Sequence, residues 1–416
     1  MITKTKNTLN WIVSNREKIA ISFFVVFMVC FLVYSTAILQ SYDIAVKIVA
    51  AVRYFSYVVL AICVLIDVLL NKKISLVMVI VGMLSVVVML FTKEFAVVSV
   101  IIVLSAVSKI DLNKLIKPVL WVVGTGFFLN VVLSLVGAFP DFVYLRGETE
   151  RHSLGLTYPT DVFAVFLSLV LMYVYLRGLK IKYYELGVIL ALTCAFYYFT
   201  NGRLSFILCL ITIVVALGYK LIDKFFSFEK LTEKFLKNKC FKWVVVSVPF
   251  ILFAVSIAVV FLYKSGNSIG TMLNTLLSDR LLHSSSAFIN YPINPFGTEV
   301  EWVGWGGMGY LRPYEEAVAY NFVDISYIRI LFDYGIIGSA VILCGFSKAI
   351  NDIVKERNLF LLTVILVMLC WCFVEPFILN LGKNIFVVCL AKYMGKCEIT
   401  VKPLTYLGNK FEKLLA

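Results

Sequence analysis

The feature that most constrains this chain is a succession of continuous apolar segments, each about as long as a membrane-spanning helix. Of its 416 residues, 61% are hydrophobic and 15% are charged, and the mean hydropathy is +0.95. A soluble domain does not need so much apolar surface, whereas a bilayer requires it. The runs are continuous rather than alternating, which excludes a transmembrane β-barrel. We therefore predict an all-α, multi-pass membrane protein.

The lengths of these runs predict about twelve spans, a few of them short. They lie at approximately Ile19–Gln40, Ile48–Leu70, Ile74–Phe91, Phe95–Val107, Val119–Phe139, Pro159–Leu176, Leu186–Phe199, Leu204–Leu217, Trp243–Tyr263, Ile325–Phe346, Leu359–Phe373 and Phe377–Tyr393. No small-residue cleavage site follows the first run, so it is interpreted as a span rather than a signal peptide. Glu375-Pro376, Asn380 and Lys383 interrupt the last pair, which favours a tight hairpin with short arms.

The distribution of positive charge predicts the orientation in the membrane. The formal charge of +13 would suggest nucleic acid for a soluble protein, but cytoplasmic loops of membrane proteins collect Lys and Arg. With a cytoplasmic N-terminus, 27 of the 38 basic residues fall in cytoplasmic segments. We therefore expect both termini in the cytoplasm, one large loop outside, and no nucleic-acid partner.

The type of cation also differs between the two sides. The segments assigned to the cytoplasm contain three arginines and 24 lysines, whereas the outer segments contain seven arginines and four lysines. Topology needs only positive charge, but the planar fork of Arg grips phosphate or carboxylate with two bonds. The outer arginines are therefore candidate ligand-binding groups. The alternative is that they form salt bridges with acids such as Asp141, Glu148, Glu150, Asp279 and Glu315.

Two outer motifs precede the large loop. Arg146–Asp161 (RGETERHSLGLTYPTD) contains Arg146, Arg151 and His152 before a Gly/Pro turn at the predicted membrane surface. It is either a polar connector or a binding site for an anionic headgroup. In Thr200–Phe206 (TNGRLSF), Arg203 lies at the outer membrane boundary, where an arginine needs a partner or snorkels to water.

The longest stretch without a span runs from Lys264 to about Gly338, and the other motifs lie within it. Leucines and Met272 recur at helical spacing up to Leu281, which predicts an amphipathic helix on the membrane or on the bundle. Asp279, Arg280 and His283 follow as candidate site residues. An aromatic, glycine-rich surface comes next, which would stack on sugar rings or anchor in the membrane interface; it comprises Trp302, Trp305, Gly306, Gly307, Tyr310 and Tyr314.

Polar side chains also enter the apolar segment Val323–Gly338. Asp324 and Tyr327 are three residues apart and are expected to share a helix face. No partner for Asp324 is obvious among its neighbours in the sequence, and it is a candidate to activate a hydroxyl. Arg329 is a candidate substrate-binding residue, although Asp333 at i+4 would neutralise it.

Other motifs that support chemistry are absent from the sequence. It contains no Walker loop, nucleotide fingerprint, metal-binding His/Cys cluster or G-x-S-x-G elbow, and we expect no metal or cofactor. Arginines, carboxylates, tyrosines and two histidines suit the transfer of a group whose leaving part is already activated, such as a lipid pyrophosphate. The arginines would stabilise the departing phosphate charge in place of a metal.

Together these motifs resemble the Wzy-type polymerases of O-antigen and capsular polysaccharides, which are related to the O-antigen ligases. The resemblance covers most of the chain and rests on the order and spacing of R-H-S-L-G-L-x-x-P (Arg151–Pro159), T-N-G-R (Thr200–Arg203), L-L-S-D-R-L (Leu276–Leu281), N-P-F-G (Asn294–Gly297) and V-D-x-S-Y-x-R-x-L-x-x-Y-G-I-I-G (Val323–Gly338).

This resemblance implies a metal-independent, inverting glycosyltransferase of the GT-C class. It would join oligosaccharide repeat units linked to undecaprenyl pyrophosphate at the outer face of the bacterial cytoplasmic membrane. Arg151, Arg203 and Arg280 would bind the pyrophosphate, and a flippase and a chain-length regulator would be partners besides the bilayer. Asp324 occupies the position of the ligases' histidine, which favours a polymerase and leaves the base open between Asp324 and His283.

Two other functions stay open from the sequence: an O-antigen ligase, and a flippase or transporter. The chain divides into a membrane bundle (1–263), the large exoplasmic loop (264–323), and C-terminal spans with a basic tail (324–416). We predict that one end of the loop, Asp279–His283, faces the pyrophosphate and that the other, Asp324–Tyr327, faces the acceptor hydroxyl.

Overall fold

A computed structural model describes residues 2–146, 148–304 and 321–415. The helices are α1 (Ile2–Tyr34), α2 (Ala37–Gln40), α3 (Asp43–Asn71), α4 (Leu76–Thr92), α5 (Ala96–Ala106), α6 (Leu112–Leu135), α7 (Pro159–Arg177), α8 (Tyr183–Thr200), α9 (Arg203–Phe225), α10 (Phe228–Lys237), α11 (Lys239–Lys264), α12 (Ser268–Leu276), α13 (Arg280–Asn290), α14 (Ser326–Asp333), α15 (Gly335–Lys355), α16 (Leu359–Trp371), α17 (Ala391–Met394) and α18 (Lys402–Leu415). The strands are β1 (Lys73–Ser75), β2 (Val143–Arg146), β3 (Thr149–His152) and β4 (Glu398–Thr400). Most of the predicted aromatic surface, Trp305, Gly306, Gly307, Tyr310 and Tyr314, lies outside the described residues.

The described helices confirm an all-α membrane protein. By length and composition, seven of them could cross a bilayer: parts or all of α1, α3, α6, α7, α9, α11 and α15. The shorter apolar helices α4, α5 and α16 coincide with further predicted spans. Helix α7 lies in the middle of the bundle, with Val162, Phe163 and Leu167 completely buried. The total of twelve spans stays a prediction.

Short polar residues begin several of these helices where the apolar runs start. The side chains of Ser75, Asp111, Asn238, Asn267 and Asn358 each accept a hydrogen bond from a backbone N–H in the first turn of the following helix. Such caps satisfy donors that a helix cannot pair internally, so local sequence determines where the helices begin.

Both termini lie at one end of the bundle. The Asn10 amide donates to the Leu415 carbonyl over 3.2 Å, and Lys72 Nζ lies 2.8 Å from Glu412 Oε2. Strands β1 and β4 pair antiparallel beside them. We call this end, which contains the loops predicted to be cytoplasmic, the lysine end. Because the two terminal segments contact each other there, both termini lie on the same side of the bundle.

The structure corrects the predicted span Ile325–Phe346, which is two helices rather than one. Helix α14 ends at Asp333 and α15 begins at Gly335, whose φ is +69°. Because α14 begins at Ser326, Asp324 precedes the helix, so the prediction that it shares a helix face with Tyr327 is wrong. Asp324 instead lies in a segment without regular structure before the helix.

The predicted last span, Phe377–Tyr393, is also not a regular helix. Pro376 disfavours helical backbone at Glu375, and α16 has already ended at Trp371. The chain continues without regular structure to a 3-10 helix, Ile385–Leu390, and α17. Its apolar side chains are nevertheless buried, and those of Ile385 and Val387 are completely buried. Non-helical backbone is tolerated at membrane depth where protein buries it, so burial of this segment is compatible with such a position.

The amphipathic segment of the large loop differs from its prediction in two ways. It forms two helices, α12 and α13, rather than one that reaches Leu281. Helix α12 turns its apolar side outward: Ile269, Met272 and Leu276 are 55%, 58% and 64% exposed. Its opposite side packs on α11, with Asn274 buried. An apolar outer face and a polar inner face suit a helix whose surroundings are lipid rather than water.

Candidate functional site

The β2–β3 hairpin carries the first arginine of the candidate site, Arg151. This side chain is 6% exposed, and its Nε donates to the carbonyl oxygen of Thr200 over 2.8 Å. Its guanidinium lies over the Tyr158 ring, 5.8 Å from the centroid. Its Nη2 is buried and has no hydrogen-bond partner among the described residues. A buried cationic donor without a partner indicates a position for an anionic ligand.

The turn after this hairpin is held by close packing on α6. Gly155 has a φ of +84°, and a Cβ there would lie 2.6 Å from the Asn130 amide nitrogen. The same amide donates to the Leu154 carbonyl, and Ala37 N–H donates to the Gly155 carbonyl over 2.8 Å. Glycine is therefore required by both conformation and space. The S-L-G part of the motif, Ser153–Gly155, therefore has a structural role: it fixes the turn after the hairpin and so positions Arg151.

Arg203 is the first residue of α9 and is exposed. Gly202 before it packs so closely on Phe163 that a Cβ would lie 2.8 Å from the ring. The N-terminus of α9 has no side-chain cap. Unpaired N–H groups and the helix dipole favour an anion at such a position, and Arg203 adds a full positive charge to them.

A strained turn joins α12 to α13 and holds two further site residues. Ser278 and Asp279 both have left-handed backbone, with φ of +55° and +64°. Asn274 stabilises the turn, since its amide donates to Asp279 Oδ1 and its oxygen accepts from Leu282 N–H. The Ser278 hydroxyl accepts a hydrogen bond from Arg146. Asp279 is thus a structural residue of the turn, and Arg146 connects the turn to the hairpin.

Arg280 lies at the centre of the site, between two carboxylates from distant parts of the chain. Its Nη2 donates to Glu375 Oε1 over 2.9 Å, and its Nε lies 3.5 Å from Asp324 Oδ2. Their side chains are only 17%, 13% and 19% exposed, respectively. Because these charges are largely removed from water, the loss of one partner would leave the other charge poorly solvated. Breaking the pair would therefore destabilise the fold. Asp324 therefore has a partner, although none is near it in sequence.

His283 lies one turn after Arg280 on α13 and is half-buried. Burial lowers the pKa of its imidazole, against the opposing effect of the nearby Asp324 and Asp279 charges. The lowered pKa favours a neutral ring at physiological pH, and a neutral imidazole can accept a proton. The structure therefore brings together both candidate bases, Asp324 and His283.

The predicted arginines form one cluster, the arginine end of the bundle. Burial and then the positive charges of Arg151, Arg203 and Arg280 lower the pKa of the Arg146 guanidinium. Arg146, Arg151 and Arg203 make no ion pair with the described residues, so the salt-bridge alternative is not observed for them there. Like charges gathered with so little compensation favour an anionic ligand.

A buried ion pair, absent from the sequence-based prediction, borders this cluster. Lys383 pairs with Asp161 of α7, and their side chains are 15% and 21% exposed. Lys383 also lies over the Phe377 ring, 4.5 Å from the centroid. The pair fixes the irregular segment after α16 against the central helix of the bundle, and so positions Glu375.

Three predicted binding residues make contacts that account for them structurally. His152 Nδ1 lies 2.6 Å from Asp141 Oδ2, and the Arg329 Nε lies 3.0 Å from Asp333 Oδ2. Tyr327 is completely buried, and its hydroxyl donates to the Leu369 carbonyl over 2.9 Å. These contacts give all three residues structural roles.

The N-P-F-G and Y-G-I-I-G motifs pack directly on each other. Ile336 and Ile337 N–H groups at the start of α15 donate to the carbonyls of Asn294 and Pro295. A Cβ at Gly335 would overlap the backbone of this loop. The two motifs therefore occur together because one caps the other, and the contact is structural.

Glu375, Lys383 and Asp161 are the site residues that sequence reasoning missed. Each is a charged residue in or beside an apolar segment, which is a functional signal in membrane proteins. From the sequence, Glu375 and Lys383 are predicted only to interrupt the last hairpin. Comparisons with family models, with curated proteins and with solved structures find no match to this chain.

Proposed function

We propose that this chain is a polysaccharide polymerase that joins oligosaccharide repeat units carried on undecaprenyl pyrophosphate. One observation carries the proposal: four arginines from three motifs meet at one end of an apolar helix bundle, beside two carboxylates and a histidine. A pyrophosphate linked to a membrane lipid is the anion that such a place would bind. The resemblance of the motifs to Wzy-type polymerases supports the same substrate.

The arginines would act on the leaving group. In an inverting transfer, the acceptor hydroxyl oxygen forms a bond to the anomeric carbon while the bond from that carbon to the phosphate oxygen breaks. The electron pair and negative charge stay on the departing pyrophosphate. Arg151 offers a buried donor and Arg203 an exposed one at an uncapped helix end. Fixed donors that face developing charge lower the barrier without a metal.

A base must take the proton of the acceptor hydroxyl, and Asp324 and His283 are the two candidates. Asp324 is held near Arg280 outside the helix register, and the lowered pKa of His283 favours the neutral imidazole that a base requires. Either group would lie beside the pyrophosphate site, so that attack and departure occur across one sugar ring.

The outward apolar side of α12 supports a substrate that is itself a lipid. Leu276 is 64% exposed and lies two residues before Ser278, the partner of Arg146. Leu145, next to Arg146 on the hairpin, is 74% exposed. Apolar surface thus continues up to the arginines. The arginine end would then face the outer leaflet of the bacterial cytoplasmic membrane and the lysine end the cytoplasm.

The proposal is tested by substituting arginines with lysine, which keeps the charge and loses the planar fork. We expect Arg151→Lys and Arg203→Lys, made separately, to shorten the surface glycan. The measurement is chain length by gel electrophoresis at equal protein levels. Normal long chains from both variants would overturn the arginine site.

A deletion strain separates the polymerase from a ligase. Loss of a polymerase leaves single repeat units, whereas loss of a ligase leaves long chains on the lipid carrier. Long carrier-linked chains in the deletion strain would therefore contradict the proposal.

A transporter is the second candidate, and the buried Lys383–Asp161 pair favours it. Charged pairs inside a bundle often mark a transport path. Purified protein in liposomes distinguishes the two functions: a transporter moves carrier-linked repeat units across the bilayer and leaves their length unchanged, whereas a polymerase lengthens them.

A further inference from the structure

We propose that Glu375 holds Arg280 while the site is empty and takes up a proton when a pyrophosphate anion displaces it. This inference rests on the proposed function, because it concerns the same anion site. It assigns Glu375 a positioning role that acts through Arg280, and it predicts that ligand binding and proton uptake are coupled.

Glu375 is held in place by backbone contacts and not only by its ion pair. Its carbonyl accepts from the Ser326 hydroxyl over 2.5 Å, and its N–H donates to the Trp371 carbonyl over 3.0 Å. Ser326 N–H in turn donates to the Cys372 carbonyl. These bonds join the turn after α16 to the start of α14, two residues after Asp324. The carboxylate therefore faces Arg280 from a fixed position.

The Arg280 guanidinium contacts three oxygens, two of them by hydrogen bonds and one by an ion pair. Nη2 lies 2.9 Å from Glu375 Oε1, Nη1 lies 3.3 Å from the Leu277 carbonyl oxygen, and Nε lies 3.5 Å from Asp324 Oδ2. A pyrophosphate that grips the Nε–Nη2 edge of this guanidinium with two bonds must take the place of a carboxylate there, Asp324 or Glu375.

The displaced carboxylate would then share a poorly solvated site with a second carboxylate and with the ligand's own negative charge. The charged groups that face Glu375 are Arg280, Asp324, Lys383 and Asp161, together with Arg151 from the hairpin. Lys383 is already paired with Asp161. When like charges gather in a low dielectric, one of them takes a proton.

Glu375 is the carboxylate best prepared to do so. Burial, and after it the charges of Asp324 and Asp161 working against those of Arg280 and Lys383, raises its pKa to about 7. Loss of the Arg280 contact removes the largest charge that favours the ionised form, and so raises the pKa further. One proton moves from solvent to Glu375 when the ligand binds. It returns to solvent when the ligand leaves and Arg280 pairs with Glu375 again.

The first test measures the affinity of the purified full chain in nanodiscs for undecaprenyl pyrophosphate at several pH values. If one proton is taken up, the dissociation constant of the wild type rises about tenfold per pH unit above the pKa of the free site. Glu375→Gln keeps a carbonyl oxygen for Arg280 but cannot titrate. We expect it to lose this rise and to bind more tightly than the wild type at high pH.

The matched control is Glu185→Gln. Glu185 is also poorly exposed, at 10%, and pairs with an arginine, Arg177, but at the lysine end. It should keep the wild-type pH dependence. Titration of the ligand's own phosphates is common to all three proteins and cancels in the comparison.

A second test counts the protons directly. Calorimetry of binding in two buffers with different ionisation enthalpies reports the protons taken up by the wild type and by Glu375→Gln. Greater uptake by the wild type than by Glu375→Gln supports the inference, and equal uptake overturns it. If the wild type binds undecaprenyl pyrophosphate with no coupling to Glu375, the inference fails and the proposed function stands. If it does not bind this lipid at any pH, the proposed function fails.

Discussion

The two ends of the bundle differ in how far their paired charged side chains are exposed to solvent. At the lysine end, pairs such as Lys392–Glu356 and Lys114–Glu17 have both side chains more than half exposed. At the arginine end, Arg280 and its two carboxylates are each less than a fifth exposed. Exposed pairs contribute little to stability, whereas buried ones constrain the structure and its protonation.

This difference shows why counting charges by side is not enough to find a site. Both ends are basic, and positive charge alone would orient the chain in the membrane. Among the described residues, it is the arginine end that combines the planar fork with burial and with a donor that has no hydrogen-bond partner, Arg151 Nη2. Positive charge predicts the orientation of the chain, whereas buried arginine donors predict where an anion would bind. Matched substitutions at the two ends test this distinction.

The largest effect is expected from removal of the base. If Asp324 is the base, Asp324→Asn should lower the polymerisation rate by about 10²–10⁴-fold, because the acceptor proton then has no receiver. The measurement is polymer formed per unit time by purified protein. Full activity of this variant would exclude Asp324, and His283→Gln would be the next substitution to measure. Asp352→Asn, which changes a carboxylate paired with lysines at the other end, should leave the rate unchanged.

The next largest effect is expected from Arg280→Lys, with a loss of about 10²–10³-fold in the same assay. Lysine cannot face the pyrophosphate with a planar fork. The matched variant is Arg177→Lys, since Arg177 forms a comparable pair with Glu185 at the lysine end, with Nη2 and Oε1 2.6 Å apart. Equal losses in both variants would mean that the pairs serve folding alone and would remove the distinction between the ends.

A smaller effect, on stability, is expected where the two glycine motifs meet. Gly335→Ala forces a side chain onto left-handed backbone and into the Pro295–Gly297 loop, and should cost about 3 kcal/mol. Gly187→Ala on α8, where a Cβ meets nothing, should instead stabilise by about 0.5–1 kcal/mol. Thermal unfolding in detergent measures both changes. A tolerated Gly335→Ala would show that the loop and α15 can separate.

The smallest effect is expected at the lysine end. Lys392→Gln breaks a pair whose members are 51% and 52% exposed and should change neither the melting temperature nor the activity measurably. A clear loss of activity in this variant would extend the functional region beyond the arginine end.

Much of the fold was predictable from the sequence, because helices in a membrane leave a long and unambiguous signal. The predicted segments from Ile19–Gln40 to Leu359–Phe373 coincide with helices, although two of them are divided, the first between Tyr34 and Ala37 and the tenth at Tyr334. The prediction for the last segment failed because tertiary contacts, such as the ion pair between Lys383 and Asp161, hold its backbone outside a regular helix. Hydrophobicity shows that such a segment is buried but does not show its backbone.

The site was predictable only in part, for a related reason. Residue chemistry and motif order predicted Arg151, Arg203 and Arg280. The outer segments contain more arginine than lysine, and topology alone does not require arginine. The partners of these residues depend on folding over long distances: Arg280 and Glu375 are 95 positions apart, and Lys383 and Asp161 are 222 apart. Local spacing, which correctly paired Arg329 with Asp333, carries no information about such contacts.

The left-handed backbone of Ser278 and Asp279 has a consequence for how this region can change. Each such residue costs about 1–2 kcal/mol where glycine would cost almost nothing. A glycine at 278 would relieve that strain and stabilise the fold, but it would remove the hydroxyl that Arg146 uses. The chain thus carries an unfavourable conformation at the point where its hairpin and large loop join, and a search for stabilised variants should select glycine there and loosen the hold on Arg146.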